Sequence, residues 1–283
     1  MSLKTRRLSL LLLVATFLLT GCSVKLAYNN MDRLIRWGVS DYVDLSSAQK
    51  DVLQQELDTL HEWHRRTHLP QYAALSQRMA RQLPDGVSMA NVDELFSQFE
   101  IWSGEVEAEF TPLVIQIMVS LSDEQIADLP AKLEKSNKEL AEPEQDKPLR
   151  DVQLLWAEEF ADGLKNFMGR LNAEQRAYLE RRSLEYQPER VLWADYRQRF
   201  QADLLSLLEA RSAPEFADNY RGLVASRESY YGVELTQVFA SNQRLNKEVT
   251  AHVLSNLSDK QAQKFVDALT DLGEDFLELS NKS

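Results

Sequence analysis

One eight-residue stretch of this 283-residue chain holds three of its four histidines, His61, His64 and His68. On a helix their side chains span an arc of about 60° on one face, because each residue turns the helix by about 100°. Imidazole is a common metal ligand, and the i/i+4 pair His64 and His68 is the best placed to bind one ion. Arg65 and Arg66 lie between them and would repel a cation, which favours a polar helix margin hydrogen-bonded to carboxylates. A metal site on this face therefore stays an alternative to that structural interpretation.

No catalytic constellation accompanies these histidines. The stretch that begins at His61 is not H-E-x-x-H, since its fifth residue is Arg65, so zinc-protease chemistry is excluded. The chain has no G-x-S-x-G, phosphate-loop or dinucleotide-binding signature. Clustered acids are typical of solvated helix faces; they are Glu105, Glu107, Glu109, Glu158 and Glu159. We therefore expect neither an enzyme nor a cofactor.

The only cysteine, Cys22, follows a leader with the features of a bacterial lipoprotein signal. Lys4, Arg6 and Arg7 precede an apolar run over residues 8–19, which is short for a transmembrane helix. The sequence Leu-Thr-Gly-Cys then matches the lipobox, in which the cysteine thiol receives diacylglycerol before the leader is removed. This pattern predicts a signal peptide over residues 1–21 and an anchor on Cys22 that carries acyl chains such as palmitate.

The residue after the anchor bears on which membrane holds the protein. Retention at the inner membrane of enterobacteria usually needs Asp after the lipidated cysteine, whereas this chain has Ser23. We therefore expect an outer-membrane lipoprotein on the periplasmic face.

The composition excludes several classes of protein. Lys and Arg number 32 against 44 Asp and Glu, and removal of the leader leaves 29 against 44, a balance of −15. Such acidity argues against a nucleic-acid partner, whose phosphates need a basic face. A single cysteine excludes a disulfide scaffold. With only 9 Gly and 8 Pro, turns are scarce and long helices are favoured.

Apolar residues recur at helical spacings throughout, and strand-like alternation is absent. The predicted helices cover residues 24–44, 46–68, 88–120 and 214–256. The last would run about 65 Å at 1.5 Å per residue, and its stripe has the spacing of coiled-coil packing. The chain is therefore predicted to be all-α, an elongated multi-helix bundle with a long helix in its C-terminal half.

A short pattern, L-[SN]-x-x-Q, occurs four times. Its Ser or Asn is suited to cap a helix, and its Gln can reach back to the cap's own N–H, which makes a capping box. The four copies begin at Leu45, Leu121, Leu171 and Leu257.

The copies pair up under two shifts of the chain. A shift of 126 aligns the first copy with the third, and a shift of 136 aligns the second with the fourth. These shifts indicate a degenerate internal duplication in which Gln49 corresponds to Gln175, and Gln125 to Gln261. The domain organisation that follows is a membrane-proximal amphipathic helix (22–44), unit 1 (45–140), a Pro-containing linker (141–150) and unit 2 (151–283).

The helix after the anchor is expected to lie close to the bilayer. One face is apolar, and basic residues lie elsewhere on the helix, where they would meet anionic head groups. The apolar face consists of Tyr28, Met31, Ile35, Val39 and Tyr42, and the basic residues are Lys25, Arg33 and Arg36.

Two resemblances accompany these patterns. The stretches LAYNN (26–30), IRW (35–37), DYVDL (41–45), WHRR (63–66) and LPQY (69–72) resemble a family of proteobacterial outer-membrane lipoproteins of unknown function. This resemblance implies an envelope lipoprotein and brings no assigned activity. The four L-[SN]-x-x-Q copies are similar to the LTxxQ motif of small all-α periplasmic chaperones, from which they depart by Ser or Asn in place of Thr. That similarity implies a chaperone-like role toward misfolded envelope proteins.

We expect a non-catalytic lipoprotein that binds or scaffolds other envelope proteins, because a long acidic helical surface suits protein recognition better than small-molecule turnover. The alternative is a metal-binding accessory lipoprotein that uses His61, His64 and His68. Aromatic residues are expected mainly in helix packing, or else in a groove that grips an apolar peptide. They include Tyr28, Trp37, Tyr42, Trp63, Tyr72, Trp102, Trp156, Trp193, Tyr196, Tyr220, Tyr230 and Tyr231.

The Cys22→Ser variant tests the anchor. Without the thiol no acyl chain is attached, so the protein should move from the membrane fraction to the soluble fraction in cell fractionation. Recovery of the variant in outer membranes after a salt wash would contradict the anchor.

Overall fold

The computed structural model describes residues 21–282, with side chains from Val24 onward except that of Asp85. Residues 1–20 of the predicted signal peptide lie outside this part, as do the side chains of Cys22 and Ser23.

The described residues form helices joined by turns and short irregular segments, with no strand among them, which confirms the predicted all-α fold. Two 3₁₀ turns, Leu83–Asp85 and Arg227–Tyr230, interrupt the α-helices. Among the helices of residues 21–282, none has the length and apolarity needed to cross a bilayer. In chain order the helices are α1 Gly21–Asn29, α2 Met31–Ser40, α3 Ser47–Thr67, α4 Leu69–Gln82, α5 Met89–Ser120, α6 Asp123–Ala141, α7 Leu149–Met168, α8 Ala173–Ser183, α9 Arg190–Glu209, α10 Phe216–Ala225, α11 Gly232–Ser255 and α12 Asp259–Ser280.

All four predicted capping boxes are present. In each box the cap side chain accepts a hydrogen bond from the Gln backbone N–H, and the Gln side chain accepts one from the cap's backbone N–H. The boxes start α3, α6, α8 and α12 with the caps Ser46, Ser122, Asn172 and Ser258. A fifth box, made by Ser88 and Asn91 at the start of α5, was not predicted because it uses Asn in place of Gln.

The glutamines of the boxes also bind one another across the fold. Gln49 Nε2 donates to Gln125 Oε1 at 3.1 Å, and Gln125 Nε2 donates to Gln49 Oε1 at 2.9 Å. Gln175 and Gln261 form the same reciprocal pair, with donor–acceptor distances of 3.3 and 2.8 Å. Two helix starts are therefore joined head to head in each pair.

Each glutamine makes one more bond, to the carbonyl that precedes its partner's box. Gln49 donates to Ser120 and Gln125 to Asp44, both at 2.7 Å. In the second pair, Gln175 donates to the Asn256 carbonyl at 2.9 Å and Gln261 to that of Arg170 at 3.1 Å. The reciprocal bonds and the carbonyl bonds are the same in both pairs, and Gln49 Nε2 additionally donates to the Ser120 hydroxyl at 3.2 Å. This shared pattern is the one expected if Gln49 corresponds to Gln175 and Gln125 to Gln261.

The two units interlock. The most extensive helix packing joins α12 of unit 2 to α4 of unit 1, and the next joins α6 of unit 1 to α9 of unit 2. One apolar core combines Ala80 and Leu83 with residues 152–269, and a second combines residues 43–129 with Leu208 and Phe216. A third, smaller cluster contains Tyr28, Leu69 and Leu279. Each core therefore draws on both units, and neither unit encloses a core by its own residues alone.

The predicted helix over residues 214–256 was wrong. The chain forms α10, the 3₁₀ turn Arg227–Tyr230 and then α11. Gly232 at the start of α11 has φ +72°, a left-handed conformation that glycine adopts at little cost and that ends regular helix. The 24 residues of α11 span about 36 Å rather than the roughly 65 Å of the predicted helix. The length of this helix therefore does not indicate an elongated bundle.

Two other predicted segments also differ from the structure. The first helix, expected over 24–44, is divided at Asn30 into α1 and α2. The predicted linker 141–150 does connect α6 to α7, but Glu144 within it is buried. Its carboxylate accepts hydrogen bonds from the Arg190 backbone N–H at 2.7 Å and from the Tyr186 hydroxyl at 3.1 Å. The segment is therefore fastened to the start of α9.

Gln175→Met tests the amide pair at nearly constant side-chain volume. Gln175 is 2% exposed, and the change removes half of a capping box and leaves the Gln261 amide without its partner. The free energy of unfolding should fall by about 2–3 kcal/mol in urea denaturation, from a buried unsatisfied group and a weakened cap. Gln125→Met is the matched control, and because Gln125 is partly exposed its loss should be smaller. Equal, small decreases in the free energy of unfolding for both variants would contradict a structural role for the glutamine pairs.

Candidate functional site

The three clustered histidines face the interior joint between α1, α3 and α4. His64 Nδ1 lies 3.0 Å from the Tyr28 hydroxyl, and His64 Nε2 lies 3.2 Å from the Tyr72 hydroxyl. A neutral imidazole has one N–H donor and one acceptor, so the two tyrosines occupy both of its nitrogens. His64 is therefore a bridge between α1 and α4.

The neighbouring rings pack around this bridge. The His68 ring stacks parallel to the His64 ring, with centroids 5.0 Å apart, and His68 Nδ1 lies 2.8 Å from the Thr67 hydroxyl. His68 Nε2 is 3.2 Å from a Glu105 carboxylate oxygen but is not aligned as a hydrogen bond. The His61 ring packs on Tyr28, with centroids 4.5 Å apart. The three histidine rings and the two tyrosine rings thus pack together where α1, α3 and α4 meet, and we call this cluster the joint.

The electrostatics of this joint favour neutral rings. Burial, reinforced by His68 and His61, lowers the pKa of His64 to about 3. Burial also lowers the pKa of His61 and His68, and the Glu105 carboxylate opposes the shift at His68. Since protonation would place charge among packed rings, the folded state keeps His64 uncharged at neutral pH.

The contacts of these histidines bear on the metal-binding alternative. Within residues 21–282, no group of three His, Cys, Asp or Glu side chains is arranged to hold a metal ion. His64, one member of the best-spaced pair in the sequence, has both nitrogens hydrogen-bonded to tyrosines. The geometry therefore does not favour the metal-binding alternative on His61, His64 and His68.

Three of the acids singled out in the sequence contact basic groups rather than a second carboxylate. Glu105 lies beside His68, Glu107 pairs with Arg227, and Glu159 Oε2 is 2.6 Å from the Arg190 guanidinium. The Glu107 and Glu159 contacts are ion pairs, whereas Glu105 lies beside a His68 ring whose pKa is lowered by burial.

A buried polar network around Glu144 was missed by sequence reasoning. Burial raises the pKa of the Glu144 and Glu189 carboxyls, which lie close to Arg190. Asn242 donates to Glu189 Oε2 at 2.7 Å and to the Gln187 carbonyl at 2.8 Å, which ties α11 to the start of α9. The charged, Pro-containing sequence around Glu144 is typical of an exposed linker and gave no signal of burial.

A set of six rings on α9, the second 3₁₀ turn and α11 forms what we call the aromatic face. Its members are Trp193, Tyr196, Phe200, Tyr230, Tyr231 and Phe239. Trp193 meets Tyr231 and Phe239 edge to face, at centroid distances of 5.4 and 6.0 Å. Tyr196 and Tyr231 are 4.7 Å apart at 84°, the favoured T-shaped geometry. The rings hold one another in fixed orientations.

The aromatic face is separate from the three buried apolar clusters, none of which includes its rings. Tyr196 is buried at its base, whereas Phe239 is 40% exposed. Charged groups border it: the Arg199 guanidinium donates to the Tyr230 carbonyl at 2.8 Å, and the Tyr230 hydroxyl donates to Asp203. Rigid aromatics with a polar rim are the usual anatomy of a protein-binding patch.

A cavity beside the 3₁₀ turn Leu83–Asp85 is too small for a metabolite. It holds about 40 Å³ and is lined mainly by apolar side chains such as Met79, Val92 and Phe265. Small-molecule sites have volumes of roughly 300–1,000 Å³. This cavity therefore offers no site for substrate turnover.

The basic patch expected near the anchor is largely neutralised. Lys25 Nζ lies 2.8 Å from an Asp275 carboxylate oxygen and also pairs with Glu278, and Arg36 pairs with Asp32 at 3.0 Å. Helix α12 and the preceding turn of α2 therefore supply counter-charges for Lys25 and Arg36, which the sequence analysis did not anticipate.

Comparison with known proteins adds a single match. A family model described as "Family of unknown function (DUF6279)" matches residues 41–236. This range includes the histidines and all of the aromatic face except Phe239, and it excludes α1, α2 and α12. No curated protein and no solved structure matches the chain.

His64→Gln tests the neutral histidine, because an amide keeps a donor and an acceptor without titrating. The unfolded chain binds a proton near pH 6.5 while folded His64 does so only near pH 3, so unfolding becomes easier as pH falls between these values. In the parent, His64 should contribute a slope of up to about 1.4 kcal/mol per pH unit. Urea denaturation from pH 7 to 4 should show a shallower slope in the variant, with the remainder from His61 and His68. Identical slopes would contradict the buried neutral state.

Proposed function

The chain belongs to DUF6279, a family of unknown function, and we propose that it is a non-catalytic outer-membrane lipoprotein that binds or scaffolds other envelope proteins. Cys22 is its lipid anchor, the helical body lies on the periplasmic side, and the aromatic face is the binding surface. The observation that carries the proposal is the aromatic face itself.

The leader supports the anchor. The chain combines a basic start, a short apolar run and the lipobox in register, and its single cysteine stands at the lipidated position. The described helices supply no membrane span of their own, so the covalent lipid is the attachment that this proposal requires.

The aromatic face supports protein recognition. Tryptophan and tyrosine are enriched among residues that carry most of the energy of protein–protein binding. Edge-to-face packing holds Trp193, Tyr231 and Phe239 in place before a partner arrives, so little side-chain entropy is lost on binding. The partner that fits is an apolar, aromatic-rich segment of another envelope polypeptide.

A chaperone-like form of this function would also use the aromatic face rather than the four boxes. Three of the box glutamines are buried: Gln49, Gln175 and Gln261. The side-chain amides of all four form hydrogen bonds inside the protein. The boxes therefore stabilise the fold, and a bound polypeptide would contact other surfaces.

Site-specific crosslinking in intact cells tests the binding surface. A photoreactive phenylalanine analogue at Phe239 should give discrete crosslinked species, because this ring is the exposed end of the aromatic face. Leu184, an exposed apolar residue outside the aromatic face, is the matched control position.

The outcomes are distinct. Mass spectrometry should identify the Phe239 species as envelope proteins, and the additional change Trp193→Ala should weaken the crosslinks. Crosslinks of equal yield at Leu184, or species unaffected by Trp193→Ala in a folded variant, would contradict binding through the aromatic face.

A further inference from the structure

Helix α2 carries apolar side chains on two opposite sides. Ile35 and Val39 pack against the core that also contains Leu53 and Leu57. Leu34 and Trp37 point away from that core and are 41% and 53% exposed. A helix with one solvated side normally has polar residues there, so the second apolar side of α2 needs an explanation.

Helix α1 also carries an exposed apolar side chain near the anchor. Leu26 is 67% exposed and lies four residues after Cys22 on the same helix. We call Leu26, Leu34 and Trp37 the anchor-side face. The described chain covers none of the three, although α1 and α2 otherwise pack on α12 and α3.

Charge does not explain this face. The ion pairs of Lys25 with Asp275 and of Arg36 with Asp32 neutralise two of the three nearby cations. The third, Arg33, is exposed and has only a long contact, 3.5 Å, to the Asn30 side chain. Attraction to anionic lipids is therefore weak here, and the remaining chemistry is apolar and aromatic.

We propose that the anchor-side face inserts into the head-group region of the bilayer that holds Cys22, so that α1 and α2 lie along the membrane surface. This inference rests on the lipid anchor of the proposed function. It assigns these helices a second, non-covalent contact that orients the body and its aromatic face relative to the membrane.

Geometry places the face within reach of the bilayer. Leu26 is four positions after Cys22 in α1, which corresponds to an axial distance of about 6 Å. The ten residues of α2 are about 15 Å long. Tryptophan favours the membrane–water interface, because its ring is apolar and its indole N–H remains hydrogen-bonded. An acyl anchor on Cys22 keeps this face next to the membrane continuously, so insertion does not require the protein to find the membrane by diffusion.

The bilayer explains the face better than a second copy of the chain does. Stable protein interfaces use about 20–30 residues on each side, whereas the anchor-side face presents three apolar side chains. Interfacial helices, by contrast, bind with a few apolar residues when an acyl chain already holds them in place.

The test uses the full-length lipidated protein in liposomes of phosphatidylethanolamine and phosphatidylglycerol. Acylation blocks the only native thiol, so Leu34→Cys creates the single labelling site for an environment-sensitive fluorophore. Leu184→Cys, at an exposed leucine far along the chain, is the matched control. Trp37→Cys is a second probe in case Leu34→Cys lowers the thermal stability.

Nitroxide lipids should quench the Leu34→Cys label several-fold more than the Leu184→Cys label, and aqueous iodide should show the reverse order. Quenching by iodide alone at position 34 would overturn the inference while leaving the anchor intact. Protection from both quenchers, with self-quenching that rises with protein density, would overturn it in favour of contact between copies. A free thiol on Cys22 in protein that does not float with liposomes would refute the anchor, and this inference with it.

Discussion

The reciprocal amide pair between two helix starts is the interaction on which the rest of the structure depends. Gln49 pairs with Gln125 across 76 residues, and Gln175 pairs with Gln261 across 86. Each Oε1 also accepts the N–H of its own helix cap. The local cap and the long-range contact therefore share one atom, and a change in either alters both. Because the amides are almost fully satisfied, these pairs specify which helices meet without leaving a buried donor unpaired.

The interlocked halves follow from this arrangement. Once the box helices are joined within each unit, their apolar sides still need cover, which the other unit supplies through α4 with α12 and α6 with α9. The buried Glu144 carboxylate binds the start of α9, so one side chain of the otherwise largely exposed segment between the units reaches the interior. The halves are consequently expected to unfold as one cooperative body rather than as two domains.

The buried polar groups of the protein differ from its surface features in how they are partnered. The buried polar groups mostly satisfy one another: His64 with two tyrosines, Glu189 with Asn242, and the glutamines in pairs. Surface features without such partners include the aromatic face on α9 and α11 and the anchor-side face on α1 and α2. The first is a rigid set of rings with a charged border, and the second is an apolar surface beside the proposed lipid. In the proposals above, the aromatic face binds other envelope proteins and the anchor-side face contacts the membrane.

The sequence by itself determined the local features, because each depends on residues a few positions apart. The all-α fold, four capping boxes and the limits of α5 were all predicted from spacing and cap chemistry. Tertiary structure decided which boxes pair, how the halves interlock, and that both nitrogens of His64 contact tyrosine hydroxyls. It also neutralised Lys25 with Asp275, 250 residues away, and buried Glu144 within a stretch that resembles a linker. Such outcomes depend on contacts between residues distant in sequence, and no periodicity or motif within one segment records what will lie opposite it.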